Sequence, residues 1–222
     1  KMKKIVIAAG LLVSSLAFCQ QQETFEKKGK VLIFTNHDPN LNKDTKKGLV
    51  KTFFKVYPKL VKDFNPESMD TIRVKIDTEY DGVAYAHNGR ITISSDWLAK
   101  KPGDLDVITH EVMHIVQSYP PNSGPGWLTE GIADYVRFKY GVDNKGAGWS
   151  LPDYKPENSY KNSYRITARF LYWLTKKYDK NIVQKLDKNM RNKTYSEDLW
   201  NQYTGKSLDA LWAEYSESPQ IS

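Results

Sequence analysis

The chain has 222 residues, which is enough for one domain with a substantial buried core. Its hydrophobic fraction of 40% and its charged fraction of 27% are those of a globular protein and exclude wholesale disorder. The formal net charge of +7 is spread along the chain without a basic block, so we expect no nucleic-acid partner.

The first residues have the pattern of an export signal. A basic start is followed by an apolar run over residues 5–18 and by Ala17-Phe18-Cys19 as a cleavage site, which predicts a signal peptide over residues 1–19. The apolar run is too short to cross a membrane as a helix. We therefore expect a secreted or periplasmic protein without a transmembrane segment. A lipid anchor at Cys19 is the alternative, although the bulky Phe18 fits a lipoprotein cleavage box poorly.

The next segments predict a strand and a long helix. Residues 20–30 are polar and predict a short flexible lead, and the apolar run 31–34 predicts a strand. Residues 45–64 have apolar side chains at helical spacing with lysines on the opposite face. Pro58 lies inside this helix and is expected to kink or divide it.

A second group of strands precedes a run of helices. Residues 71–77 alternate as a half-exposed strand does, and Asn88-Gly89 predicts a hairpin turn between strands at 83–86 and 90–94. Helices are then predicted at 104–117, 128–140, 164–177, 180–190 and 208–215. This order predicts an α+β domain over residues 31–222, with a small sheet, an N-terminal helix and a helical C-terminal half.

The predicted helix 104–117 contains His110-Glu111-Val112-Met113-His114. Residues four apart lie on one face of a helix, so His110 and His114 can share one metal ion. Glu111 lies beside that face and can reach a metal-bound water, from which it would take a proton as general base. Zinc would lower the pKa of that water. The alternative is a surface helix with incidental histidines, but the apolar neighbours predict a partly buried motif, where unpaired polar groups are costly.

A catalytic zinc also needs a third protein ligand. A histidine soon after the motif is absent, because Gln117 and Pro120 occupy the places where some zinc peptidases have Gly and His. Glu130 follows His114 after a loop and is the predicted third ligand. Asp134 lies one helical turn further on and is predicted to accept the second N–H of a ligand histidine. The alternative is an acidic helix start, which the helix dipole favours by itself.

These motifs carry a family resemblance. His110-Glu111-x-x-His114 followed by Trp127-Leu128-Thr129-Glu130-Gly131 resembles the gluzincin peptidases, including thermolysin and the aminopeptidase N family, in which a Glu on the next helix is the third zinc ligand. Residues 130–137 and Thr167-Ala168-Arg169-Phe170-Leu171 are similar to the basic secretory protein family of plants and bacteria. The similarity runs from about Asp81 to Trp212. It implies a zincin-like fold with a small mixed sheet over the motif helix, one catalytic zinc ion and a peptide or protein substrate.

The resemblance also implies an extended substrate along a sheet edge, formed by Gly82–Ala86 or by Arg90–Ser94. Tyr164 is the candidate for stabilising the oxyanion, and a simple packing role is its alternative. The expected protein is thus a monomeric, secreted zinc peptidase. Two alternatives remain open: a non-catalytic exported binding domain with a zincin fold, and a zinc hydrolase that acts on a non-peptide amide or ester.

Overall fold

The computed structural model describes residues 3–5 and 21–221. Most of the predicted signal peptide, including Cys19, lies outside the described residues. Within them, the strands are β1 (Lys3–Ile5), β2 (Gln21–Lys27), β3 (Lys30–Asn36), β4 (Thr71–Asp77), β5 (Ala84–His87) and β6 (Arg90–Ser94). The helices are α1 (Lys43–Asp63), α2 (Ser95–Lys100), α3 (Val107–Gln117), α4 (Gly126–Tyr140), α5 (Tyr164–Lys177), α6 (Ile182–Arg191), α7 (Asp198–Thr204) and α8 (Leu208–Glu217).

The strands form one mixed sheet in the order β1-β2-β3-β4-β6-β5. The pairs β3–β4 and β4–β6 are parallel, and the other pairs are antiparallel. The predicted hairpin is β5–β6, and its turn residues Asn88 and Gly89 have φ values of 46° and 74°. Such left-handed values at both turn residues are typical of a two-residue hairpin. The order leaves β5 as the last strand on one side of the sheet.

Residues 21–27 form β2, so the prediction of a flexible lead is wrong for them. The strand pairs with β3 along its whole length, from Gln21 opposite Asn36 to Lys27 opposite Lys30. Phe25 is its buried side chain. The polar composition is misleading because backbone hydrogen bonds to β3 stabilise this strand without a continuous apolar face.

Pro58 does not divide α1, which is continuous from Lys43 to Asp63. Proline has no N–H, so the carbonyl of Phe54 loses its helical partner at this point. The apolar face of α1 offsets that loss, because ten of its side chains, including Phe53 and Leu60, are buried. Asn42 caps the N-terminus by accepting hydrogen bonds from the backbone N–H groups of Asp44 and Thr45.

The core lies between the sheet, α1 and the later helices. One face of the sheet is buried through Leu32, Phe34, Ile72, Val74, Ile76, Ile91 and Ile93. The five helices predicted after residue 100 are all present, whereas α2 and α7 were not predicted. In the part of the chain that the structure describes, no helix is long and apolar enough to span a membrane.

Candidate metal centre

The two motif histidines come from α3 and the carboxylates from α4. Apolar residues on both sides of the motif, among them Ile108 and Val116, bury α3 in the core. The helix ends at Ser118, which has the left-handed φ of 44°, and a turn rich in proline and glycine reverses the chain. Helix α4 then begins after Pro125 and packs against α3. This return places Glu130 and Asp134 beside the histidines.

Three potential ligand atoms converge. The Nε2 atoms of His110 and His114 are 3.0 Å apart. Glu130 Oε2 lies 3.2 Å from His110 Nε2 and 3.5 Å from His114 Nε2. With tetrahedral zinc and bonds of about 2.1 Å, ligand atoms are about 3.4 Å apart. These separations therefore fit a zinc ion, and the three residues are the group in the described part of the chain that could hold a metal ion.

Hydrogen bonds to the far side of each ring determine the tautomers. Asp134 Oδ1 lies 2.7 Å from His110 Nδ1, which donates to the carboxylate. The amide Nε2 of Gln117 donates to the carbonyl of Thr129 over 2.9 Å, and a carbonyl can only accept. The amide oxygen of Gln117 must then face His114 Nδ1, at 2.7 Å, and Nδ1 must donate to it. In their neutral forms, both histidines therefore present a bare Nε2 lone pair to the centre.

Two lone pairs and a carboxylate oxygen in contact repel one another unless a positive charge lies among them. Burial by itself lowers the pKa of His110, but its hydrogen bonds to Asp134 and Glu130 outweigh burial and raise it to about 10. Burial raises the pKa of Glu130, yet the hydrogen bonds to His110 and His114 bring it well below its usual range. The centre thus favours a cation, and two imidazoles with one carboxylate are a donor set that zinc takes.

Glu111 has an unsatisfied oxygen next to this centre. Its side chain is 5% exposed and lines the cleft, and Oε2 has no hydrogen-bond partner among the described residues. Burial raises the pKa of Glu111, whereas His110 and His114 lower it. A buried carboxylate oxygen without a partner is uncommon in folded proteins, and here it leaves a hydrogen-bonding position for a water molecule.

Tyr164 lies at the centre as well. Its ring stacks on His110 with centroids 6.2 Å apart and 19° between the planes, and the residue is 54% exposed. Ser163 and Tyr164 have φ values of 67° and 48°, a strained way to begin α5. The negative charge of Glu130 and partial burial raise the pKa of Tyr164. A ring this exposed contributes little to core packing, so the alternative of a purely packing role is disfavoured.

The cleft around the centre has a volume of about 1180 Å³ and is lined by β5, α3, α4 and the start of α5. Strand β6 pairs with β4 and with β5, so its two edges are occupied. Among the strands that the structure describes next to the centre, β5 has the unpaired edge. Of the two segments considered from the sequence, residues 82–86 are therefore the one with backbone groups available to a peptide.

Sequence reasoning missed two residues of this site. Gln117 was noted only for standing where some zinc peptidases have Gly, whereas its amide orients His114. Its position three residues after His114 is the one available signal. Tyr80 lines the cleft beside Tyr85, and burial and the charge of Glu111 raise its pKa. With 14 tyrosines in the chain, nothing in the sequence distinguishes Tyr80 from the others.

The family model described as peptidase of plants and bacteria matches residues 25–215. No curated protein is similar enough to match. The M1 zinc metallopeptidase from Deinococcus radiodurans is a similar solved structure, with a TM-score of 0.50 and 12% identity over 97% of this chain and 50% of that one. A point mutant of that enzyme has a TM-score of 0.42 and 13% identity over 97% and 48%.

The chain spans half the length of that enzyme, and at 12% identity the likeness concerns the fold alone. The predicted α+β fold of zincin type is confirmed.

Proposed function

The chain belongs to the family of peptidases of plants and bacteria, as the resemblance in its sequence indicated, and we propose that it is a zinc-dependent peptidase. One observation carries this proposal. His110, His114 and Glu130 converge on one point, and the unpartnered oxygen of Glu111 lies beside it.

The proposed zinc ligands are His110 Nε2, His114 Nε2 and one oxygen of Glu130. Asp134 and Gln117 support the proposal because each holds one ligand histidine in the tautomer that leaves Nε2 free. A zinc ion bound there would supply Lewis-acid chemistry, lowering the pKa of a water molecule and polarising the scissile carbonyl.

The remaining steps belong to the side chains. Glu111 accepts the proton of the attacking water and later gives it to the leaving amine, and burial increases the basicity of its carboxylate. Tyr164 donates its O–H to the substrate oxygen as negative charge develops, and its raised pKa keeps the phenol protonated. The unpaired edge of β5 holds the substrate backbone as an added strand.

The cellular location is part of the same proposal. A basic start and an apolar run in residues 1–19 support export, with the mature protein secreted or periplasmic and acting as a monomer.

Metal analysis with a peptide digest tests the proposed function. We expect about one zinc per chain and cleavage of an unfolded protein that a chelator stops and added zinc restores. Glu130→Ala should lose most of the bound zinc, whereas Glu67→Ala, at an exposed position outside the cleft lining, should retain it. A chain without stoichiometric zinc and without chelator-sensitive cleavage would contradict the proposal. Zinc-dependent hydrolysis of esters but not of peptides would favour the non-peptide hydrolase instead.

A further inference from the structure

Four large hydrophobic side chains are exposed in the part of the chain that the structure describes, and all four line the cleft. They are Met69, Val83, Tyr85 and Tyr164. The other large apolar side chains of the described fold are at least partly buried. Exposed apolar side chains scattered over a surface need no explanation, but a set gathered in one cleft marks a binding surface.

The backbone of β5 determines where a bound peptide would lie. The carbonyl of Val83 accepts a hydrogen bond from the N–H of Ser94 on the β6 side. Backbone polar groups alternate in direction along a strand, so those of Ala84 and Ala86 face the unpaired edge. The carbonyl of Ala84 accepts a hydrogen bond from the hydroxyl of Tyr80 over 3.4 Å, and its second lone pair is left for a peptide N–H. An antiparallel peptide that forms hydrogen bonds with these groups places one of its residues directly opposite Tyr85. That residue and Tyr85 form no backbone hydrogen bonds with each other. Side chains in such a pair are especially close, because the Cα atoms are about 4.5 Å apart.

The two faces of β5 differ in side-chain size. Ala84 and Ala86 lie opposite Ile93 and Ile91 and share the buried face of the sheet. Tyr85 lies opposite Thr92 on the other face and is 49% exposed. Its ring packs edge-on against that of Tyr80, with centroids 5.1 Å apart. A substrate side chain opposite Tyr85 therefore meets aromatic rings instead of solvent.

We propose that this cleft selects extended peptides with a large apolar or aromatic residue opposite Tyr85. Val83 lies two residues before Tyr85, on the same face, so a second apolar residue two positions away in the substrate is favoured too. Tyr85 and Val83 are then residues that determine specificity. This inference rests on the proposed peptidase function, which supplies the hydrolysis.

A digest of a denatured protein mixture, read by mass spectrometry, tests the inference. The wild type should show large aliphatic or aromatic residues enriched at one position at a fixed distance from the cleaved bond. Tyr85→Ser should remove most of that enrichment and raise KM about fivefold for a peptide with the apolar residue, with kcat nearly unchanged. Tyr85→Phe keeps the ring and should retain both the enrichment and KM.

Tyr172→Ser is the matched control, because Tyr172 is half-buried on α5 and lies outside the cleft lining. It should leave the cleavage profile unchanged. Two results would overturn this inference and leave the peptidase function standing. One is cleavage that depends on Glu111 but shows no residue preference. The other is a residue preference that persists in Tyr85→Ser. A wild type that cleaves nothing would contradict the function itself and this inference with it.

Discussion

At the scale of single residues, Gln117 connects two proposed zinc ligands. The side chain is 1% exposed and makes hydrogen bonds to His114 and to the carbonyl of Thr129, the residue before Glu130. Gln117 therefore fixes the tautomer of His114. It also fixes the position of the first turn of α4, which contains Glu130. Groups that orient metal ligands in this way are worth one to two orders of magnitude in metal affinity.

Replacing Gln117 by Leu keeps the approximate volume and removes both hydrogen bonds. The N–H of His114 Nδ1 and the carbonyl of Thr129 then lack partners, so we expect zinc affinity to fall about 10- to 100-fold. Competition with a chromophoric chelator measures this change. Gln184→Leu is the control, because Gln184 lies on α6 outside the cleft lining and its buried Oε1 has no partner among the described residues. Equal zinc affinity in wild type and Gln117→Leu would show that Gln117 does not position the ligand.

Local periodicity explains which site residues could be predicted. His110 and His114 are one helical turn apart, and Glu130 and Asp134 repeat that spacing on the next helix, so the structure brings all four together as the sequence indicated. The role of Gln117 depends on Thr129, a partner on another helix, and no pattern within α3 reveals it. The left-handed backbone at Tyr164 likewise follows from how the preceding loop meets α5.

At the scale of elements, α4 and α5 approach closely at Gly131. A Cβ atom on this residue would lie 2.2 Å from Thr167 Cγ2 and 2.7 Å from Thr167 Cβ. Thr167 cannot easily rotate away, because its hydroxyl donates a hydrogen bond to the carbonyl of Tyr160. Any added atom must therefore push the two helices apart, next to Glu130.

Gly131→Ala should lower the free energy of unfolding by about 1–3 kcal/mol and weaken zinc binding. Urea unfolding and chelator competition measure the two effects. Gly126→Ala, in the first turn of the same helix, has no heavy atom within 4 Å of the added Cβ and should be neutral or slightly stabilising. If both alanine variants unfold at the same urea concentration, the close contact between α4 and α5 does not constrain Glu130.

Helix α6 contains a buried acid that makes stability depend on pH. Asp187 has no exposed surface and accepts hydrogen bonds from Tyr119 and Arg191 over 2.8 and 2.7 Å. Burial raises its pKa from 3.8 to about 6, although Arg191 and Tyr119 oppose the rise. The folded protein then binds this proton more tightly than the unfolded chain does. Its contribution to the free energy of unfolding therefore rises as the pH falls from about 6 towards 4.

Asp187→Asn removes this titration. The free energy of unfolding of the wild type relative to Asp187→Asn should increase by about 1 kcal/mol between pH 7 and pH 5. Urea titrations at the two pH values measure the difference for both proteins. A difference that stays constant, or that shrinks on acidification, would mean that the carboxylate is not destabilised by burial.

Two outcomes were not predictable from local composition, and they share one cause. β2 is polar and is stabilised by its partner β3, and α1 continues through Pro58 because burial of its apolar face outweighs one lost hydrogen bond. Both outcomes depend on tertiary contacts that local composition does not contain. The hairpin β5–β6 was predictable because Asn88-Gly89 suits the turn by itself.

At the scale of the whole molecule, the sheet and the helices meet at α3. The order of elements along the chain was sufficient to predict an α+β domain with the motif helix at this junction. The order of strands in the sheet was not predictable, because parallel pairing of β4 with both β3 and β6 joins residues far apart in the chain. Among the described strands, that order leaves β5 with an unpaired edge, and β5 packs against α3, the helix of His110 and Glu111.

The central claim is that Glu111 acts as a base next to a zinc ion held by His110, His114 and Glu130. Comparing Glu111→Gln with the wild type, for zinc content and for cleavage of an unfolded protein, tests it most directly. The amide has nearly the same shape, and Glu111 is not one of the proposed ligands, so zinc content should stay at about one per chain. Cleavage should fall by at least about 100-fold, because the amide cannot accept the proton of the water. Unchanged turnover in Glu111→Gln would contradict the account.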